Sequence, residues 1–406
     1  MTPDTDLASS GRSGTSWSGE SSDSSLRPDL KGRPSSVLLL PGDGIGPEVV
    51  AAAARVLQIA ARIGGRGLAF TTKLIGGAAL RAGLPALPDD TLEAARHADA
   101  VLLGAVGDPA FDHLPPAERP ESALLRIRRE LGVFANLRPA RAWPGLESAG
   151  PLKPGVLAGT DLVVVRELNG GLYYGEPRGT SADGASAVNT LRYSRFEIER
   201  VARAAFALAR ERRRQVVSVD KANVLEVSRL WRRVVTDIAS EYPDVQLRHE
   251  YVDACAMKLA LAPSSFDVIL TENMFGDILS DEAGAVCGSL GLLPSASLGE
   301  GPGLFEPVHG SAPDLAGRDV ANPIGAIASA AMLLESGLGW KDEAAGIIRA
   351  IEHALRSGAR TADVAEPSAQ ALGTRAFTDL VIQQMSAFQN QSPAGSLDPA
   401  TRAIRP

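Results

Sequence analysis

The sequence predicts an α/β protein, a sheet of short buried strands with helices on its faces. From Ser36 onward short apolar runs alternate with longer amphipathic ones, the pattern of strands interleaved with helices. At 406 residues the chain is long enough for two domains or one large α/β unit, because single cores stop growing at roughly 250–300 residues. One segment, 171–194, breaks the alternation, and no internal repeat accompanies it.

Residues 1–34 are rich in Ser, Gly, Asp and Pro and contain no apolar run, so they lack the hydrophobic stretch of a secretion signal and read as a disordered extension. Asp4, Asp6, Glu20, Asp23 and Asp29 also argue against a transit peptide. The first strand is expected at 37–40 and the first helix at 47–61, joined by Leu40-Pro-Gly-Asp-Gly-Ile-Gly-Pro-Glu48. The glycines of that turn invite a dinucleotide-fold reading. However, Pro47 stands where the third glycine belongs, and no acidic residue ends a second strand at the usual offset. A tight turn in which Pro47 starts a helix explains the stretch equally well.

Further strands are expected at 100–103, 162–165, 216–219 and 268–270, and helical spacing of apolar residues places helices at 196–212 and 225–240. Segment 171–194 carries β-formers at both ends, Leu172-Tyr-Tyr174 and Asn189-Thr-Leu191, around a polar middle with Asp183-Gly184. It predicts a long hairpin arm projecting from the body, and such arms pair with a partner chain, so a homodimer is expected. The chain beyond Gln384 reads like the amino terminus, with 391–406 as a flexible tail.

The 48 acidic and 41 basic side chains leave a formal charge of -7, which gives no general attraction to nucleic acid or to an acidic membrane face. No apolar stretch reaches the roughly 18 residues that a membrane-spanning helix needs. Cys255 and Cys287 are the two cysteines, and neither has metal-ligand or redox spacing. A reducing compartment, the cytoplasm, is therefore expected.

Chemistry is concentrated in a few stretches. In Phe275-Gly-Asp277-Ile-Leu-Ser-Asp281-Glu282 the carboxylates of Asp277 and Asp281 are one helical turn apart, where like charges repel unless a cation sits between them. Mg²⁺ and Mn²⁺ take such oxygen ligands, although a solvated acidic helix face has the same pattern. Arg128, Arg138 and Arg166 stand near strand or helix ends, and Arg138 and Arg166 abut apolar runs where a carboxylate partner would offset burial. Singly each fits a structural ion pair; together, in an acidic protein, they suggest a substrate with more than one carboxylate. Lys221 follows the strand at 216–219, at a carboxyl end where α/β proteins bind ligands, and could serve as a general base or remain a solvent-exposed lysine.

Taken together, stretches 40–48, 121–140, 163–179, 219–226, 251–257, 271–282 and 306–322 resemble the isocitrate and isopropylmalate dehydrogenases, in family order and across most of 36–335. The resemblance implies an isopropylmalate dehydrogenase-like fold in which two α/β domains share a large mixed sheet. A discontinuous cofactor-binding domain, 35–133 plus 288–390, would adjoin a substrate and dimerisation domain, 134–287, that bears the arm. It implies NAD held on loops of the first domain, Mg²⁺ or Mn²⁺, and a homodimer with shared active sites.

Carried across, Arg128, Arg138 and Arg166 resemble the clamp on the malate-type carboxylates, and Tyr173 and Lys221 the acid-base pair. Asp277 and Asp281 would ligate the metal, with Asp253 and Lys221 reaching in from the partner chain. Glu121, Glu306, His309, Gly310, Ser311, Ala312, Asp314 and Asn322 match the cofactor contacts. His309 and Asn322 would lie at the adenine and Asp314 at the ribose, where a carboxylate repels the extra phosphate of NADP.

Substrate choice turns on Leu124 and Leu125, which offer apolar surface to a branched alkyl group, with Asn223 and Val224 also matching substrate contacts, Val224 from the partner. The expected reaction is NAD-dependent oxidation and decarboxylation of 3-isopropylmalate, in leucine biosynthesis; D-malate and tartrate are the alternatives, since methyl contacts discriminate by only about 1–3 kcal/mol. From other classes, a non-catalytic nucleotide-binding protein would not need Lys221 and Tyr173, and a metal-dependent lyase would not need NAD. Two features depart from the family pattern: Arg192-Tyr-Ser-Arg195 is more basic, and 1–34 has no counterpart.

Overall fold

The computed structural model describes residues 33–366 and 369–391. The extension expected at 1–34 lies outside them except for its last two residues, as does 392–406 of the expected tail. The strands are β1 (Ser35–Gly42), β2 (Leu68–Thr72), β3 (Ala100–Ala105), β4 (Val133–Arg141), β5 (Asp161–Glu167), β6 (Gly179–Thr180), β7 (Ala187–Val188), β8 (Gln215–Asp220), β9 (Gln246–Tyr251), β10 (Val268–Thr271), β11 (Pro294–Gly299) and β12 (Gly303–Pro307).

All except β6 and β7 form one mixed sheet of ten strands in the order β2-β1-β3-β12-β11-β4-β5-β10-β8-β9. The flanks are parallel, and the middle, from β12 through β11 and β4 to β5, is antiparallel. Each strand and helix expected from the apolar pattern is present within a few residues. The inner strands read as unbroken apolar runs because both faces are covered. Val37, Leu39 and Leu102 enter one core while Leu38, Leu40 and Leu103 enter another across the sheet.

Likewise Val163, Val165 and Val268 pack under the helices Arg195–Arg210 and Glu226–Ala239, whereas Val164, Val217 and Ile269 face the helices Val252–Leu261 and Asn273–Cys287. The first-expected helix, Gly46–Ile63, packs against Ile324–Met332, Lys341–Arg356 and Thr374–Gln391. None of the described helices is long and apolar enough to cross a membrane.

Two expectations need correction. The β-formers bounding segment 171–194 do not pair: Gly171–Tyr173 is a single 3₁₀ turn, and the only ladder there joins Gly179 to Val188 and Thr180 to Ala187. The polar middle forms the hairpin because Gly184, at φ +70°, and the Asp183 carboxylate, accepting from Ala185 N and Ser181 Oγ, close its turn. The chain also stays helical past Gln384 to Gln391, because Met385 is buried and Phe388 packs against the core.

The topology brings one set of carboxyl ends together. Thr271 of β10 sits in register with Arg166 on β5 and with Val219 on β8. From those ends the chain runs into the helix Asn273–Cys287 and into Lys221.

Candidate active site

The helix Asn273–Cys287 begins directly after β10, and the Glu272 carboxylate starts it by accepting from Phe275 N at 2.7 Å and Met274 N at 3.2 Å. Its first turns lie against Arg166 so closely that a Cβ on Gly276 would be 2.7 Å from Arg166 Cβ. Arg166 is almost fully buried. It donates from Nε and Nη2 to Asn273 Oδ1, at 3.0 and 2.8 Å, and from Nη1 to Asp277.

Arg138 reaches the same carboxylate from β4. Its Nη1 lies 3.2 Å from Asp277 Oδ1, 3.3 Å from Asp281 Oδ1 and 2.8 Å from Ser280 Oγ, and its Nε donates to Asn136. Tyr173 completes the group, donating its phenol proton to Asp277 Oδ2 at 2.9 Å. The Arg138 guanidinium thus reaches both Asp277 and Asp281.

The charges tune one another. Burial pushes the Asp277 carboxyl up, but the Arg166 and Arg138 charges outweigh it and hold it below the usual range. Burial raises Asp281 despite Arg138, and Asp277 adds to the rise. Burial and the Asp277 charge raise Tyr173, so its phenol keeps its proton at neutral pH. Burial and the neighbouring Arg166 lower Arg138 to about 10, which leaves it cationic.

Arg128 stands beside this group on the helix Pro120–Glu130 and is buried in an ion pair with Glu306, Nη2 to Oε1 at 2.7 Å. Its Nε has no partner among the described residues. Glu306, expected at the cofactor, is therefore engaged with Arg128. On the same helix Leu124 is partly buried against the core, and the Leu125 carbonyl accepts from Tyr174 at 3.3 Å.

Lys221 and Asp253 are brought together, Nζ to Oδ1 at 2.6 Å, but they are not brought to Asp277. Among the described residues the two side chains bond each other, and no hydrogen bond of either reaches the Arg138–Asp277 group. Asn223 and Val224 lie exposed on the turn that follows.

The glycine turn after β1 holds the expected cofactor loop. Ile45 N donates to the Ser311 carbonyl at 2.8 Å, and a Cβ on Gly44, at φ +55°, would collide with that carbonyl. His309 is held by Nδ1 at 2.9 Å from the Gly310 carbonyl, while its buried Nε2 has no partner among the described residues. Burial lowers its pKa, so the ring is neutral. Gly310 and Asp314 are exposed, Ala312 takes a positive φ of 38°, and buried Asn322 accepts from Ile324 N and donates to Asp363. Glu121 Oε1 would sit 3.1 Å from a Cβ on Gly107, across from Ser311 Oγ.

The family model for isocitrate/isopropylmalate dehydrogenase matches residues 36–381. The chain belongs to this family. It is 54% identical over 357 residues to the 3-isopropylmalate dehydrogenase of Gloeobacter violaceus, spanning 87% of this chain and 98% of that one. It is 50% identical over 357 residues to the enzyme of the same name from Aquifex aeolicus, again spanning 87% and 98%. Among solved structures, isocitrate dehydrogenase from Methylococcus capsulatus superposes with a TM-score of 0.77 at 35% identity, covering 86% of this chain and 99% of that one. A beta-decarboxylating dehydrogenase from Thermococcus kodakarensis gives 0.72 at 37%, covering 88% and 98%.

Family membership makes the chain a decarboxylating dehydrogenase, a class that uses a nicotinamide cofactor and a divalent metal. The donors fit both. Asp277 and Asp281 present hard oxygen ligands within one helical turn, as a small divalent cation takes. No set of three metal-ligating side chains converges within one chain among the described residues, so a third ligand must come from water, substrate or another chain. The unpaired buried Nε2 of His309 is an open contact of the kind a cofactor fills.

Sequence reasoning missed the residues that hold the arginines. Asn136, Asn273 and Ser280 bond directly to Arg138 or Arg166, and Glu167 and Tyr193 stand behind Asn273. A local signal existed only for Asn273 and Ser280, which share the helix of the metal motif.

Proposed function

We propose that the chain oxidises 3-isopropylmalate with NAD and a divalent cation, Mg²⁺ or Mn²⁺, and decarboxylates the product to 4-methyl-2-oxopentanoate, a step of leucine biosynthesis in the cytoplasm. The observation that carries this reading is the convergence of Arg138, Arg166 and Tyr173 on Asp277, one turn from Asp281. Relatives that bear the 3-isopropylmalate dehydrogenase name over nearly their whole length support the choice of substrate.

Arg128, Arg138 and Arg166 bind the two carboxylates of the malate moiety, and Leu124 and Leu125 with the partner's Val224 line the alkyl group. Asp277 and Asp281, with Asp253 of the partner subunit, would hold the cation. When bound, these groups would supply a Lewis acid for the substrate oxygens and a hydride acceptor. Lys221 of the partner subunit takes the proton of the C2 hydroxyl. Tyr173, whose phenol stands 2.9 Å from Asp277, gives a proton to the carbon that loses CO₂. His309 and Asn322 hold the adenine and Asp314 the ribose, with Glu121, Glu306, Gly310, Ser311 and Ala312 lining the cofactor loop. Residues 35–133 with 288–390 form the cofactor domain and 134–287 the substrate domain.

A homodimer follows from the same reading, because Lys221 and Asp253 pair away from Asp277 on their own chain. Exposed Val224, Met257, Leu261 and Ile278 give a partner apolar surface to cover. The test is turnover with NAD and Mn²⁺ across 3-isopropylmalate, isocitrate, D-malate and tartrate, followed at the reduced-nicotinamide absorbance. The highest kcat/KM is expected for 3-isopropylmalate; a preference for any of the others overturns the substrate assignment.

A further inference from the structure

We infer that Tyr193 is a positioning residue for the dicarboxylate site, acting through a buried relay, Glu167–Tyr193–Asn273, that fixes Arg166 and the turn bearing Tyr173. The inference rests on the function proposed above and deepens it. Tyr193 is 6% exposed and lies just past the hairpin ladder that ends at Val188, in the stretch Arg192-Tyr-Ser-Arg195. Its hydroxyl donates to Glu167 Oε2 at 3.0 Å and accepts from Asn273 N at 3.0 Å.

Both neighbours are locked in turn. Glu167 accepts from Asn169 N at 3.0 Å and Gly170 N at 2.7 Å, with Arg200 Nη2 at 3.4 Å. Asn273 donates from Nδ2 to the Leu168 and Gly170 carbonyls, at 3.1 and 2.9 Å, which leaves Oδ1 a single orientation, toward Arg166 Nε and Nη2. The guanidinium that meets Asp277 is therefore aimed by an amide whose own direction is set by two backbone carbonyls, on a residue whose backbone N–H is held by the phenol.

The Tyr193 ring does a second task. It packs edge-on to Trp231 at 5.7 Å and fills the space beside Gly170 and Gly171. A Cβ on Gly170 would be 2.5 Å from the ring, and one on Gly171, already at φ +72°, would be 2.6 Å from the hydroxyl. The same side chain thus shapes the turn that delivers Tyr173 and supports the helix start that delivers Asp277. Shared hydrogen bonds in a buried network fix geometry, and a gap of one loosens it.

The test is Y193F, which keeps the ring and removes only the hydroxyl, compared with V235A, a variant of the same core away from the relay. With wild type active, Y193F is expected to lower kcat/KM for 3-isopropylmalate about tenfold and leave KM for NAD within about twofold. V235A should lose thermal stability without that split. Wild-type kinetics in Y193F, an equal loss toward NAD, or the same split in V235A overturns the relay and leaves the function standing. If wild type turns over none of the four acids, the function fails instead. A crystal structure of Y193F then decides the relay: Arg166 displaced from Asn273 supports it, and Arg166 unmoved overturns it.

Discussion

Lys221 and Asp277 illustrate how far a side chain's role depends on what faces it. Among the described residues the Lys221 ammonium pairs with Asp253, away from Asp277, so the base role proposed for it calls for a neighbouring copy. Lys221→Met is expected to lower kcat by about 10²–10⁴-fold, the range for a general base, while NAD binding measured by calorimetry stays intact; unchanged turnover would refute the role. Cys255 and Cys287 have the opposite character. Burial pushes both thiols up to about 12, so neither should react with a thiol-specific disulfide reagent in the native protein, and both should react after unfolding. Labelling of either in the folded state would contradict their burial.

Among the elements, the helix Asn273–Cys287 carries the most chemistry, and its close approach to β5 depends on Gly276. Gly276→Ala places a methyl within 2.7 Å of the Arg166 side chain, which must shift or push the helix away. A loss of about 1–3 kcal/mol in denaturant unfolding is expected, together with a fall in kcat/KM for the hydroxy acid. Ser194 tests a different element. It caps the helix Arg195–Arg210 in a reciprocal capping box with Glu197, so Ser194→Ala should cost about 1 kcal/mol. No change in the unfolding midpoint would show that the box adds nothing.

At the scale of the whole molecule, a shared site makes a prediction about mixtures. Lys221→Met and Asp277→Asn homodimers should each be inactive, yet unfolding and refolding them together should restore about a quarter of wild-type activity, since half the dimers then hold one complete site. No recovery would mean that each chain supplies its own lysine. The family match begins at residue 36, so a chain lacking residues 1–32 should retain its turnover; a loss would give the extension a role.

The sequence alone determined which segments are buried on both faces, and hence β1, β3, β5, β8 and β10, because an inner strand must be apolar throughout. It also singled out Arg138, Arg166, Asp277 and Asp281, since charged residues beside apolar runs stand out locally, whereas Tyr173 was marked only by the family resemblance. The edge strands β2 and β9 and the small-residue strand β11 lacked that signal, and pairing across the sheet formed them instead. The hairpin's register was set by its turn rather than by its β-formers. Glu167 and Tyr193 became legible only in three dimensions, because a hydrogen bond between residues 26 or 80 positions apart leaves no trace in local spacing.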